Sequence, residues 1–546
     1  MAKELSYKPL DDLGVNGLNT QSNPATLDPS WLTKAENVVI RESGRIALRK
    51  GLKQKVVPTG TAIASLVEHR DQSTDKIFAS YGTSIYTVDF GSPTAAFPSS
   101  GDDVKHTVAD TTGDWQFVNF NDRLHCFHTG VIPQRYDGSL GVDSKWTAHA
   151  TDPASISSLF DPSCGMGYYG RIWAGGVAEA KDVVYWSNLL DGDNFLDGDT
   201  GLIDLAKVWG TDEIVALAPF YGKLVIFGKN NIVVYDSPTV VGSLAVNEVI
   251  RGIGLVSRDT VQAIGDDLVF LSSTGLRSLA RTTEKDKLPL QDLSLNIKDT
   301  LIRNIGNSTN VKSVYVESEG IYIMSFIDKN INYIFDFKHL TPNGAPRITT
   351  WTFDSDREPA SLAYTNLYGL LVGQQDGGLA GYERYFDTDA AAADGGGVTY
   401  TDTSYTSEIQ TVWLNLGDSV ITALLKRFFM VIEGGYGATV CMKYYKDFSP
   451  VSSDSTCVTL SPVTTGTAFL WGKTTSLYGA TTAAHTHDSA VHTASATYRP
   501  VYGLKEYRMP LLGSAKHLKI AVDIQSNGFD LSIQALTLLH KQGKIR

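Results

Sequence analysis

The sequence predicts an all-β chain: a β-propeller of six or seven blades, a C-terminal β-sandwich platform and an extended N-terminal arm. Two observations carry this. Gly (50) and Tyr (25) are plentiful while charged residues reach only 19%, a mix that suits strands and tight turns better than helices. A second feature is a recurring unit: polar turn, apolar strand, second turn, second strand. Its first apolar strand residues are Ile77, Leu124, Ile172, Leu224, Leu268, Ile321 and Leu370, at successive intervals of 47, 48, 52, 44, 53 and 49 residues. That period matches the roughly 40–50 residues of a four-stranded propeller blade. A blade cannot bury its own two faces, but a closed ring of blades buries both and leaves only short edges. The end units are then either incomplete or close the ring with strands from elsewhere in the chain.

Three regions follow: residues 1–60, an arm and hairpin packing on the platform or a neighbouring subunit; 61–385, the propeller; and 386–546, the platform. In the first, Asp12–Pro24 is rich in turn formers and reads as extended. Ser30 is placed to cap a single helical turn carrying Trp31 and Leu32. Val38–Arg41 and Arg45–Arg49 make a hairpin around Glu42-Ser43-Gly44. Arg41, Arg45, Arg49 and Lys50 form the strongest basic cluster of the chain, either a solvated hairpin face or a docking surface for an acidic partner.

The clearest unit of the propeller is Arg251–Leu279, with strands at Val261–Ile264, Leu268–Ser272 and Leu276–Leu279. Its conspicuous residues are turn formers and core aliphatics. Beyond Phe386 the small-residue run Asp389–Gly397 reads as a linker. Strands then recur without the blade period, at Thr406–Leu414, Leu424–Glu433, Val440–Tyr445, Leu518–Asp523 and Phe529–Leu536. Residues 450–498 are an inserted loop or small subdomain.

The formal net charge of −12 excludes a protein that grips nucleic acid with a broad basic face. It suits a wall past which phosphates slide. No run of 18 apolar residues marks a membrane span, and the N-terminus carries no secretory signal pattern. Cys126, Cys164, Cys441 and Cys457 contain no CxxC. They read as buried thiols, with a Cys441–Cys457 bridge open only to a protein maturing in an oxidising place.

Candidates for chemistry are few. Asp191–Asp199 alternates carboxylates with glycines, but Leu202 stands where an EF-hand needs its bidentate glutamate, so a solvated inter-blade loop is the favoured reading. His485, His487 and His492, with Asp488, have metal-like spacing without a visible supporting shell. No GxSxG, Walker, HExxH or dinucleotide motif is present. No catalytic residue, cofactor or metal ligand is therefore assigned, and the chain is not expected to be an enzyme.

Several motifs taken together resemble one family. Gly14–Asn19, Ala35–Val38 and Gly44–Gly51 are similar to the opening of tail nozzle proteins (tail tubular protein B) of short-tailed bacteriophages. Gly252–Arg258 with Phe270–Leu276, and Tyr185–Asn188 with the acidic loop after it, resemble their propeller repeats. Gln410–Gly417, Lys426-Arg427 and Val431–Gly435 resemble their platform strands. The resemblance implies a structural virion protein, assembled in the host cytoplasm, that forms a homohexameric ring below the tail adaptor protein. It implies a channel for viral DNA, passed without sequence-specific binding, and docking of tail fibres. The arm would then wrap a neighbour and the basic hairpin would contact the adaptor or a neighbouring subunit. Two rival classes stay open: a receptor- or glycan-binding propeller of the virion, and a polysaccharide-degrading propeller enzyme.

Overall fold

The computed structural model describes residues 5–542 apart from 11, 42–43, 57–59, 71–74, 89, 91–103, 108–112, 139–145, 150, 158, 281–291, 307, 309, 354–356, 383–404, 417–421, 436–437, 461–483, 488–489, 494–503 and 527–529. The expected linker 389–397 and most of the insertion 450–498 lie outside these residues. The chain forms two compact units. One comprises Gln54–Pro346 and Thr352–Tyr382; the other comprises Met1–Lys53, Arg347–Trp351 and Glu383–Arg546.

In the first unit, the described strands form seven antiparallel sheets in succession. Their first strands are Ile63–Arg70, Gln116–Phe120, Cys164–Tyr168, Ile214–Phe220, Gln262–Ile264, Val311–Val316 and Pro359–Thr365. Their second strands are Asp75–Tyr81, Arg123–His128, Arg171–Val177, Lys223–Gly228, Asp267–Ser272, Ile321–Phe326 and Gly369–Gln374. Each of the seven residues that set the sequence period lies on one of these second strands, and all seven are buried. The period therefore counts one structural position, and the described strands make seven blades.

The alternation along the second strands explains why they are apolar throughout. In blade 1, Ile77 and Ala79 face one way and pack with Leu371 and Leu379 of blade 7. Phe78 faces the other way, into Leu124, Cys126 and Tyr136 of blade 2. Phe127 then meets Ile172, Ala174 and Tyr185 of blade 3. Trp173 meets Ile214, Leu224 and Ile226 of blade 4. Val225 and Phe227 meet Leu268 and Phe270 of blade 5. Successive side chains point to opposite faces of a sheet, and in a closed stack both faces are interior. The ring closes where the Ser361 hydroxyl of blade 7 donates to the Ile63 carbonyl of blade 1 at 2.6 Å. A strand from ahead of blade 1, Leu52–Val56, completes the sheet of blade 7, so its outer edge is covered by chain from the other end of the array.

The second unit is a pair of sheets. One runs Val38–Ile40, Ile46–Leu48, Leu531–Gln542, Ala423–Gly434, Leu504–Pro510, with Ser6–Pro9 added to Leu531–Gln542. The other takes Gly17–Leu18, Trp31–Glu36, Thr406–Thr411, His517–Gln525, Thr439–Lys446 and Asp454–Thr459. Each sheet buries one face. Phe428, Met430 and Ile432 are interior in the first, and Val440, Met442, Val522 and Ile524 in the second.

Two expectations are corrected here. Trp31 and Leu32 do not form a helical turn: Trp31–Glu36 is a strand between Gly17–Leu18 and Thr406–Thr411. A register shift between Leu32 and Lys34 puts the buried Leu32 and Ala35 three apart. A β-bulge thus imitates helical spacing. Part of the arm packs on the platform, one of the two placements expected of it. Ser6–Pro9 pairs with Thr537–His540 of the same chain.

The second correction concerns Cys441 and Cys457, which are bonded rather than free. They face each other across the antiparallel pair Thr439–Lys446 and Asp454–Thr459, so residues 454–459 of the expected loop are an edge strand. Cys126 and Cys164 are free and buried. Reducing the bridge, or making Cys441→Ser with Cys457→Ser, should cost about 3 kcal/mol, the chain-entropy value for a loop of roughly 15 residues. The shift of the urea midpoint with and without reductant measures it.

Candidate functional site

The basic cluster does not form one surface. The Arg41 guanidinium donates to both Asp530 oxygens, at 2.8 and 2.6 Å. Arg45 lies 3.8 Å from Glu433 with both side chains largely in water. Arg49 is fully buried. Its Nε donates to Asn37 Oδ1 at 3.1 Å, and its Nη1 to the carbonyl of half-buried Lys50 at 3.0 Å. Its guanidinium carbon sits 4.0 Å from the Tyr405 ring centre and 5.8 Å from that of Trp351. Arg49 is therefore part of a core, held by cation–π contact and hydrogen bonds, and is not available to a partner. Arg41 and Arg45 remain near the surface.

Functional geometry concentrates on the axis of the propeller, where the first strands of the blades face one another. At the end where these strands begin, four charged groups meet. Asp114 precedes the first strand of blade 2. Arg258 and Asp259 occupy a single 3-10 turn ahead of that of blade 5, and buried Lys312 lies on that of blade 6. Arg258 Nη2 is 3.2 Å from Asp114 Oδ1 and its Nε 3.0 Å from Asp259 Oδ1. Lys312 Nζ is 2.5 Å from Asp259 Oδ2 and also bonds Asp114. Arg258 Nη1 donates to the Ser163 carbonyl, ahead of blade 3, at 2.8 Å. In a ring of seven, blade 2 is not a neighbour of blades 5 and 6, so these pairs run across the axis. Burial pushes the Asp259 carboxyl up, but Arg258 and Lys312 outweigh it and hold the pKa well below the usual range. Asp114 and Asp259 likewise keep Arg258 firmly protonated against burial. The Arg251–Leu279 stretch thus carries more than turn formers and aliphatics.

At the opposite end, where the first strands finish, the axis opens into a polar cavity of about 890 Å³ lined by residues of blades 1, 2, 5, 6 and 7. Glu68 is its most distinctive group. Its Oε2 accepts the Asn366 backbone N–H at 2.9 Å, while its Oε1 is buried and has no partner. Asn119 Nδ2 donates to the Glu68 carbonyl at 2.9 Å, and Asn119 Oδ1 lies 2.6 Å from His69 Nδ1. Tyr315 and Glu317 line the same recess. The arrangement offers a carboxylate oxygen, amides and phenol edges, a set suited to a polar, hydroxyl-bearing ligand.

A third cluster lies between blades 2 and 3. His125 stands on the second strand of blade 2, His149 just beyond the blade's fourth strand, and Asp193 in the loop after the third strand of blade 3. All three are buried. The Asp191–Asp199 loop, expected to be solvated, therefore turns one carboxylate inward. Asp193 Oδ2 accepts from Arg123 at 3.2 Å and from Arg135. Arg171 likewise holds Asp199. Burial keeps both imidazoles neutral. It lowers the His149 pKa to about 3, with Arg135 adding to the effect and Asp191 opposing it. His125 is lowered in the same sense by burial, then by His149 and the two arginines.

These shifts have a consequence for acid stability. Below the ordinary histidine value near 6.5 the unfolded chain binds protons that the folded chain refuses, so stability falls as pH drops below about 6.5, for His149 down towards about 3, by up to about 1.4 kcal/mol per pH unit. His149→Phe should flatten the profile between pH 5 and 7, read as the denaturant midpoint against pH. His485, His487 and His492 sit on two short paired strands, Ala484–His487 and Ala490–Thr493; their side chains are outside the described set.

None of these clusters follows from local sequence spacing. Asp114 and Lys312 are 198 positions apart, and Arg135 and Asp193 are 58 apart. The one visible signal was the carboxylate-rich loop containing Asp193.

No family model matches the sequence, and no curated protein does. Similar solved structures include three propeller-class or extracellular domains. The WD40 domain of Pan2 from Neurospora crassa is 9% identical over 62% of this chain and 98% of its own, with a TM-score of 0.39. The WD40 β-propeller domain of Doa1 is 10% identical over 61% of this chain and 96% of its own, with a TM-score of 0.34. The extracellular domain of a hybrid two-component system from B. thetaiotaomicron is 8% identical over 62% of this chain, with a TM-score of 0.39; the match spans 40% of that domain. None of the three lends a function to this chain.

Proposed function

We propose that the chain is a structural virion component, a tail nozzle of a short-tailed bacteriophage. In this reading it forms a hexameric ring below the tail adaptor, conducts viral DNA and carries tail fibres on its outside. The observation that carries the reading is the order of the chain. A seven-bladed propeller is inserted into a sandwich unit whose strands come from residues before and after it, and the motifs resembling tail nozzle proteins are spread over both units. The net charge of −12 supports a conduit, because an acidic wall repels phosphates and keeps DNA from sticking. A closed ring requires head-to-tail contacts between different faces of neighbouring copies. The ion pairs across the propeller axis favour a DNA path between subunits, not along each propeller's own axis.

The reading is tested by location. Antibody raised against the chain should label the tail tip of intact short-tailed particles, and particles assembled without the chain should leak or retain DNA abnormally. Label on a different structure, or full infectivity without the chain, would sink it.

The polar cavity at the open end favours a second reading, a propeller that recognises a hydroxyl-rich glycan. A glycan array probed with the purified chain separates the two. Selective binding abolished by Glu68→Gln supports this second reading.

A further inference from the structure

We propose that His125, His149 and Asp193 hold a divalent transition-metal ion of the zinc class, pinning blade 2 to the loop of blade 3. Their donor atoms lie within 4.8 Å of one another. His125 Nδ1 is 3.4 Å from His149 Nε2 and 3.7 Å from Asp193 Oδ1. Two ligands bonded to one tetrahedral zinc at about 2.1 Å are separated by about 3.4 Å. Two of the three edges, both from His125 Nδ1, are therefore near that spacing, and the third lies within 4.8 Å. Two imidazoles and one carboxylate are a donor set for zinc, cobalt or nickel, whereas calcium and magnesium ask for oxygen alone.

The carboxylate side of the site is braced, while the outer ring nitrogens, His125 Nε2 and His149 Nδ1, are buried without a hydrogen-bond partner. Asp193 Oδ1 is buried and has no protein partner, although Oδ2 of the same carboxylate takes two guanidinium groups. Those guanidiniums fix the carboxylate so that its open oxygen points at the histidines, as outer partners orient metal ligands. His149 is stacked on Phe195 at 5.7 Å between ring centres. Gly192 lets the loop come close: a Cβ there would lie 3.0 Å from His125 Cε1. Charge limits the affinity. Arg123 and Arg135 are balanced by Asp193 and Asp137, so a bound dication is met only by nearby Asp191 and by an outer ligand such as hydroxide. The site should thus bind more weakly than a closed four-ligand zinc site, with its fourth position open. The inference does not depend on the nozzle reading.

Cobalt(II) is the direct probe. The full chain, stripped with chelator and dialysed, should take up one cobalt per chain, develop the visible absorption of a four-coordinate ion, and lose it to added zinc. His125→Asn and His149→Gln, each checked for a native circular dichroism spectrum, should weaken binding at least tenfold. A variant with His485, His487 and His492 all changed to alanine should bind as the parent does. The proposal is overturned if the parent chain takes up no cobalt. In that case the 3.4 Å contact is an imidazole–imidazole hydrogen bond. It is equally overturned if uptake disappears only with the triple variant, or survives both single ones. Should one single variant fail to fold, the other and the parent spectrum decide.

Discussion

Lys312→Met is expected to destabilise the propeller by about 3 kcal/mol. The ammonium is buried and bonds both Asp114 and Asp259. Removing one partner of a buried ion pair costs about 3–5 kcal/mol, mostly because the opposite charge is left uncompensated. The low end applies because Asp114 keeps access to water and because Arg258 still attends both carboxylates. The pH dependence gives a second check. The Asp259 carboxyl is held below its unfolded value, so its stabilisation is present above about pH 4 and is lost as pH falls through the folded pKa. In Lys312→Met that acid-sensitive part should shrink. Chemical denaturation at pH 7 and again at about pH 2, below the unfolded carboxylate value, followed by tryptophan fluorescence, measures both. An unchanged midpoint would mean that the charges do not meet across the axis.

Arg49→Ala should cost the sandwich unit about 3 kcal/mol. The truncation empties a fully buried volume, removes cation–π contact with Tyr405 and Trp351, and removes the hydrogen bonds to Asn37 Oδ1 and the Lys50 carbonyl. Arg49→Lys should recover little, because a compact ammonium neither stacks nor forks as the guanidinium does. Hydrogen exchange resolves the effect by unit: protection should drop in Trp31–Glu36 and Thr406–Thr411 and hold in the blades. A surface role for Arg49 predicts no loss of protection anywhere.

The two residues also show what the sequence could and could not disclose. The blade period was legible because each second strand is buried on both sides and carries a buried aliphatic residue within its first three positions after a polar turn. Seven sheets therefore repeat one chemical signature, from Ile77 to Leu370. Trp31–Glu36 was misread because a bulge broke the period-two alternation that identifies strands. Arg49 looked like one of four hairpin cations, since its aromatic partners Trp351 and Tyr405 lie some 300 or more positions away. Arg258 and Asp259 were hidden in a stretch dominated by glycines and aliphatics, and Lys312 and Asp114 come from other blades. Asp193 was visible as an acidic loop residue, but the two arginines that draw it inward belong to blade 2. Local pattern reports burial and turns. Charge placement across a ring depends on closure, which no local window contains.

Particle mass in solution tests the nozzle reading most directly. Six copies of a 59.3 kDa chain give about 356 kDa. Mass photometry or light scattering of the purified full chain, alone and mixed with a tail adaptor ring, should show that species, and negative-stain images should show a six-fold ring with a central opening. A particle that stays at the mass of one chain in both conditions would contradict the account.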